Sequence, residues 1–143
     1  SNAKMNEFQA SMGLCNLRHI DEELELRKQA FDRYTQNLKE VKGITLLKFD
    51  SKVKQNYAYY PILIDSDKYG ESREQLVSRL SNEGIFARKY FYPLVSENKE
   101  FNKDLTVNTP LAKDYSQNIL CLPLYAGLSL EEVDKICSIV IKK

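Results

Sequence analysis

The sequence predicts an α/β (α+β) domain in which helices cover one face of a small mixed or antiparallel sheet, with a long N-terminal helix preceding this layer. The 143 residues are 43% hydrophobic and 29% charged, an ordinary balance for one globular domain with a core. Patterns typical of the two element types also alternate along the chain, in the order helix, strand, strand, helix, strand, helix, strand, helix.

Residues 5–41 predict one long helix or two helices end to end, because this region has no proline and a single glycine. Two apolar stripes with helical spacing run along it, out of register with each other. The first stripe is Met5, Phe8, Met12 and Cys15, and the second is Leu17, Ile20, Leu24, Phe31, Tyr34, Leu38 and Val41. The phase change predicts that the two segments pack on different bodies. Either a bend or a new helix capped by Asp21 separates them.

Two strands follow this helical region. Gly43 predicts the left-handed residue that ends the helix. Residues 44–49 then predict a short strand, and residues 56–65, which are dense in tyrosine and isoleucine, predict a stronger one. Pro61 indicates that the second strand lies at a sheet edge or carries a bulge.

A helix and a third strand come next. Ser72 is the predicted N-cap, with Gln75 at the capping-box position, for a helix that runs through Leu80 and stops at 82–84. Residues 85–92 predict the third strand.

The last part of the chain begins with a charged loop at residues 93–109, a length more typical of functional or disordered loops than of simple connections. Pro110 predicts the first turn of a short helix. Residues 119–122 predict a fourth short strand, and Ser129 predicts the cap of a final helix that ends near Ile141.

Composition argues against several partners. Twenty-one basic residues nearly balance twenty acidic ones, so no summed charge favours nucleic acid. The longest apolar stretches, such as residues 57–64 and 119–124, are far shorter than the roughly 20 residues that span a bilayer. Cys15, Cys121 and Cys137 lie far apart among apolar residues, which predicts buried free thiols in a reducing compartment, the cytoplasm.

No metal site is predicted, because His19 is the single histidine and no Cys-x-x-Cys pair occurs. We interpret His19 as a satisfied or solvated side chain rather than a base. Tyr57, Tyr59 and Tyr60 are interpreted as core and sheet-face residues, and the charged run 21–28 as a solvated helix face.

Four stretches together resemble the DegT/DnrJ/StrS family of sugar aminotransferases. They are KMNEFQASMGL at residues 4–14, GIFARKYFYPL at 84–94, LCLPLY at 120–125 and LSLEEV at 128–133. The family consists of fold-type I enzymes, in which a large domain holds pyridoxal phosphate on a Schiff-base lysine and a smaller C-terminal domain helps to close the site in a dimer.

The resemblance implies a division of the chain. Residues 1–3 resemble the remnant of a cleaved purification tag. Residues 4–20 are expected to form the helix from the junction with the large domain, and residues 21–143 to form the C-terminal small domain. The Schiff-base lysine is expected outside this chain, so no catalytic residue is assigned within it.

Five residues are candidate ligand contacts. The resemblance implies that Lys4, at the basic position of the family's Asn-x-Arg/Lys-Met segment, reaches the cofactor or substrate region. In a strand, alternate residues share a face, so Arg88, Tyr90 and Tyr92 are expected on one side and Lys89 on the other. A guanidinium beside two phenols suits a nucleotide diphosphate and a sugar. Substrate binding is therefore predicted for Arg88, Lys89, Tyr90 and Tyr92.

The expected parent activity is amino transfer from glutamate to a nucleotide-linked keto sugar, with pyridoxal phosphate as cofactor, in cell-surface polysaccharide biosynthesis. Many relatives have histidine at the position of Tyr90. The segment RKYFYPL is instead similar to that of enzymes acting on dTDP-linked 4-keto-6-deoxy sugars. This chain alone is expected to be inactive, to bind no cofactor and to form a homo-oligomer. The alternative is a non-enzymatic αβ module that binds a ligand or partner through residues 88–92.

Overall fold

The computed structural model describes residues 3–98 and 108–141, and these form an antiparallel three-stranded sheet with packed helices. In chain order the elements are α1 (Glu7–Leu17), α2 (Ile20–Leu38), β1 (Ile44–Leu46), β2 (Tyr60–Ile64), α3 (Ser66–Tyr69), α4 (Arg73–Asn82), α5 (Pro110–Asn118), β3 (Ile119–Leu122) and α6 (Leu130–Ile141), with a 3-10 turn at Val95–Glu97. The predicted fold class is confirmed.

The sheet has the order β1-β2-β3, with Ile44 opposite Ile64 and Ile62 opposite Leu120. The prediction that Pro61 marks an edge strand is wrong for the sheet as a whole, because β2 is central. However, β1 pairs only with residues 62–64, so Pro61 has a strand neighbour on one side alone. Proline has no backbone N–H group to donate, so it is tolerated at this position for the same reason as at a sheet edge.

The N-terminal region is two helices, since the chain turns at residues 18–19 before α2 begins at Ile20. Contrary to the prediction, Asp21 does not cap α2, because it already lies in the first turn of that helix. His19 holds the N-cap position without a side-chain capping bond. An acidic side chain in the first turn still favours the helix through its dipole.

The core lies between the sheet and helices α2, α4 and α6. Its members are buried apolar side chains that recur at helical or alternating strand spacing, among them Tyr34, Leu38, Ile62, Leu76, Leu80, Leu120, Val133 and Val140. Arg33 clamps α2 to α6 through two bonds to the Asp134 carboxylate, at 2.7 and 2.6 Å.

Helix α1 takes no part in this core. None of its residues is buried, and Phe8 is 85% exposed. Cys15, on the same helix, is exposed, which contradicts its prediction as a buried thiol, whereas Cys121 and Cys137 are buried as predicted. The change of stripe phase therefore separates a helix that packs on the sheet from one that does not.

Several local predictions are confirmed. Ser72 and Gln75 form a reciprocal capping box, and Ser129 forms one with Glu132. Gly43 has the predicted left-handed backbone, with a φ of 81°, and a Cβ atom there would clash with the Tyr69 backbone. The prediction that Gly43 ends the helix is wrong, because α2 already ends at Leu38.

The predicted third strand, residues 85–92, is wrong. A single bridge from Arg88 to Cys121 replaces it, and the chain then turns at residues 90–91. Peptide bonds 90–91 and 92–93 are cis. Contacts to α4 take the place of further sheet pairing, as described below. The predicted loop 93–109 lies partly outside the described residues. No helix in the described part of the chain is both long and apolar enough to span a membrane.

Candidate functional site

A cleft of about 330 Å³ opens where residues 86–90 run beside the end of β3. Its walls come from three separate parts of the chain: Ala58 and Tyr59 before β2; Phe86, Arg88 and Tyr90; and residues 121–125. Most of these side chains are aromatic or aliphatic. The described lining contains one cation, Arg88.

The backbone of Arg88 is fixed to β3. Its N–H donates to the Cys121 carbonyl at 2.9 Å, and the Cys121 N–H donates back to the Arg88 carbonyl at 2.8 Å. Cys121 is buried, and burial raises the pKa of its thiol. The thiol therefore stays protonated near neutral pH and is unsuited to act as a nucleophile.

The exposed guanidinium of Arg88 lies next to two phenols. Its Nη1 donates to the Tyr90 phenol oxygen at 2.7 Å, and the guanidinium carbon lies 5.8 Å from the centre of that ring. Tyr59 contacts Tyr90 edge to face, with ring centres 5.3 Å apart. This arrangement presents donors for an anion and ring surfaces for a planar group.

Buried tyrosines support the floor of the cleft. The Tyr34 hydroxyl donates to the Pro123 carbonyl at 3.0 Å, which fixes the chain directly after β3. Tyr34 stacks on Tyr60 with ring centres 4.7 Å apart, and the Tyr60 hydroxyl lies 3.1 Å from that of Thr35. Burial raises the pKa of both phenols, that of Tyr60 to about 12. Both therefore remain neutral and act as structural groups.

The predicted ligand residues do not all meet. Arg88 and Tyr90 line the cleft, whereas Lys89 and Tyr92 contact α4 and do not line it. The expectation that Tyr92 shares a face with Arg88 is wrong, because it assumed a continuous strand. Lys4 is exposed ahead of α1 and does not line the cleft.

Tyr59 and Tyr125 are among the lining residues that sequence reasoning missed. Tyr59 was interpreted as a core or sheet-face residue, yet it is 55% exposed and faces Tyr90. Tyr125 lines the cleft and lies at the end of LCLPLY, one of the four stretches that resemble the family. Its position in that motif was the available signal.

The described lining suits binding better than proton transfer. It has no carboxylate, imidazole or amine, and none of the described lysines lines it. A Schiff-base cofactor needs such an amine together with a phosphate cradle, so the described residues do not by themselves fit pyridoxal phosphate. Among residues 3–98 and 108–141, no group of three His, Cys, Asp or Glu side chains is placed to hold a metal ion.

Comparison with known proteins identifies the family of the chain. The dTDP-4-amino-4,6-dideoxy-D-glucose transaminase of Escherichia coli is 37% identical over 145 residues, which cover 99% of this chain and 39% of that protein. The Helicobacter pylori PseC structure, an aminotransferase involved in the biosynthesis of pseudoaminic acid, superposes with a TM-score of 0.85 at 26% identity. The match covers 98% of this chain and 38% of the PseC chain. DesI with its TDP-sugar product shares the fold, with a TM-score of 0.89 at 24% identity over 98% of this chain and 36% of that one.

The chain thus spans about two fifths of the length of these relatives. A similar sugar aminotransferase from Streptococcus pneumoniae, with a TM-score of 0.82 at 26% identity over 96% of this chain and 35% of that one, has been solved in its pyridoxal phosphate form. The model of the DegT/DnrJ/EryC1/StrS aminotransferase family matches residues 1–141. The chain belongs to the DegT/DnrJ/EryC1/StrS aminotransferase family.

Proposed function

We propose that this chain is the C-terminal, substrate-facing part of an aminotransferase that moves the amino group of glutamate to a nucleotide-linked keto sugar. The observation that carries the proposal is the Arg88 guanidinium, which stands beside the Tyr90 and Tyr59 rings in an open cleft. The curated relative with 37% identity acts on a dTDP-linked amino sugar. The proposed substrate is accordingly a dTDP-4-keto-6-deoxyhexose.

Each group in the cleft has a binding role in this proposal. Arg88 pairs with the diphosphate through charge-assisted bonds, which a planar guanidinium can make in twos. Tyr90 and Tyr59 offer ring faces and hydroxyls to the sugar or the base. Leu124 and Pro123, which also line the cleft, exclude water from the apolar 6-deoxy edge of the sugar.

Pyridoxal phosphate, which carries the amino group between the two substrates, is proposed to be held mainly by parts of the whole protein beyond the described residues. The carrying lysine belongs there too, and Lys4 is the one residue of this chain proposed to approach the cofactor region. The chain alone is therefore proposed to be inactive. We further propose that the whole enzyme is a homodimer and acts in the cytoplasm, which fits the three unpaired cysteines.

Amino transfer tests the proposal directly. The whole enzyme is incubated with ¹⁵N-glutamate and a dTDP-4-keto-6-deoxyhexose, and the product is analysed by mass spectrometry. We expect ¹⁵N in the sugar product and 2-oxoglutarate in equal amount. Absence of transfer to several such sugars, from an enzyme that still completes the glutamate half-reaction, would show that the substrate class is wrong.

A further inference from the structure

Lys89, which lies between the cleft residues Arg88 and Tyr90 in sequence, and Tyr92, which follows them, are both held by the first turn of α4. The Lys89 ammonium bonds the Glu74 carboxylate. The guanidinium carbon of Arg73 lies over the Tyr92 ring, 4.7 Å from its centre. We call these four residues the α4 clamp. Neither Lys89 nor Tyr92 faces the cleft that Arg88 lines.

Arg73 is the buried centre of the α4 clamp, with its side chain only 4% exposed. It donates to the Ser116 carbonyl at the end of α5 and lies 3.4 Å from the Ile119 carbonyl at the start of β3. Its Nε and Nη2 also donate to one oxygen of Glu74, at 3.1 and 2.8 Å. The Arg73 guanidinium therefore links the start of β3 to the Glu74 carboxylate, which in turn binds Lys89.

This arrangement matters because little else fixes Arg88. Two hydrogen bonds to Cys121 form an isolated bridge, and no further sheet pairing extends along the segment. The Arg88 side chain is exposed and, among residues 3–98 and 108–141, bonds only Tyr90 of its own segment. The direction of its guanidinium thus depends on how the backbone that follows it is held, at Lys89 and at Tyr92.

We propose that the α4 clamp positions Arg88 and Tyr90 in the cleft, so that Lys89 acts as a positioning residue through Glu74 rather than as a substrate contact. The electrostatics agree with this geometry. The Lys89 bond, with the nearby Arg73 guanidinium, lowers the pKa of Glu74 below its ordinary value, so the carboxylate is charged at neutral pH. The functional consequence rests on the proposed binding of the nucleotide sugar at Arg88.

Amide hydrogen exchange of the 143-residue chain, followed by NMR, tests the positioning without any substrate. Glu74→Gln and Lys89→Met should each speed exchange at Arg88 and Cys121 by about threefold, the effect of losing one partly exposed ion pair. Lys89→Arg, which keeps the charge, should restore slow exchange. Glu83→Gln is the matched control, since Glu83 is the C-cap residue at the other end of α4, is equally exposed at 56%, and pairs only loosely with Lys135 at 3.9 Å.

The whole enzyme supplies the functional measurement. Glu74→Gln should raise the KM for the nucleotide sugar by about threefold and leave the glutamate half-reaction unchanged, with an unaltered Tm. The proposal is overturned by unchanged exchange at Arg88, by an equal rise at core amides such as that of Ile136, or by an unchanged KM when Arg88→Ala raises it. If Arg88→Ala leaves KM unchanged, the proposed substrate site fails instead, and the exchange data alone decide the positioning.

Discussion

Replacing Arg88 with alanine is the sharpest test of the substrate site. The change removes the one cation of the described cleft lining, together with its 2.7 Å bond to Tyr90. Hydrogen bonds to charged groups contribute roughly 1.5 to 3 kcal/mol. Because the Arg88 side chain is exposed, water screens the contact and the lower value applies. That value corresponds to about a tenfold rise in the KM for the nucleotide sugar.

The two half-reactions of the whole enzyme separate binding from general damage. Only the sugar substrate carries a diphosphate, so the glutamate half-reaction of Arg88→Ala should keep its rate. Arg88→Lys keeps the charge but loses the planar fork, and its KM should lie between those of wild type and the alanine variant. Lys135→Ala removes an exposed cation on α6, outside the cleft lining, and should leave both half-reactions unchanged.

Equal loss in both half-reactions would refute the reasoning, because it would assign Arg88 a structural role. The bridge to Cys121 uses backbone atoms alone, so truncating the side chain leaves those two bonds available. A fall in Tm of Arg88→Ala would therefore also contradict the geometry described here.

Three further predictions follow from the structure. Reduction of the chain with borohydride in the presence of pyridoxal phosphate should label no single lysine stoichiometrically, because none of the described lysines lines the cleft; peptide mass spectrometry would reveal an exception as one fully labelled site. The free energy of unfolding should fall as pH rises from about 10 to about 12, since the Tyr60 phenol loses its proton at lower pH in the unfolded chain than in the folded one. Urea titrations at several pH values measure this dependence, and Tyr60→Phe should reduce it. The chain should self-associate at high concentration through α1, where Phe8 is 85% and Met12 62% exposed, because burial gains about 25 cal/mol per Å². Light scattering should return a monomer for Phe8→Glu with Met12→Glu, and a wild type that stays monomeric would contradict the prediction.

Elements specified by local chemistry could be predicted closely. Ser72 and Ser129 start helices because their hydroxyls satisfy backbone N–H groups three residues on, a contact fixed by spacing alone. Gly43 adopts the predicted positive φ, which glycine accepts at little cost, although α2 already ends at Leu38. In the second stripe, Tyr34 and Leu38 are buried as the spacing predicts, whereas Leu17 and Ile20 at its start are exposed.

Features that depend on tertiary partners could not be predicted in the same way. Residues 85–92 have strand composition, but a strand needs a neighbour along its length, and here β3 meets the segment at Arg88 only. Tyr59 and Tyr60 are adjacent in a tyrosine-rich run, yet one lines the cleft and the other is buried against α2. Neither outcome follows from spacing, because the partners are distant in sequence.

The segment from Arg88 to Tyr92 shows why the predicted face was wrong for one of its residues, Tyr92. Strand alternation would give Tyr92 the same environment as Arg88, and Lys89 the opposite one. In the structure Arg88 and Tyr90 line the cleft and Lys89 contacts α4, as alternation predicts, but Tyr92 also contacts α4. The chain turns at residues 90–91, and the buried Arg73 guanidinium lies over the Tyr92 ring, so a turn and a tertiary contact override the period of two at Tyr92. The same five residues thus carry both the proposed ligand contacts and the contacts that hold them in place, so a substitution at Lys89 should alter substrate binding without touching the substrate.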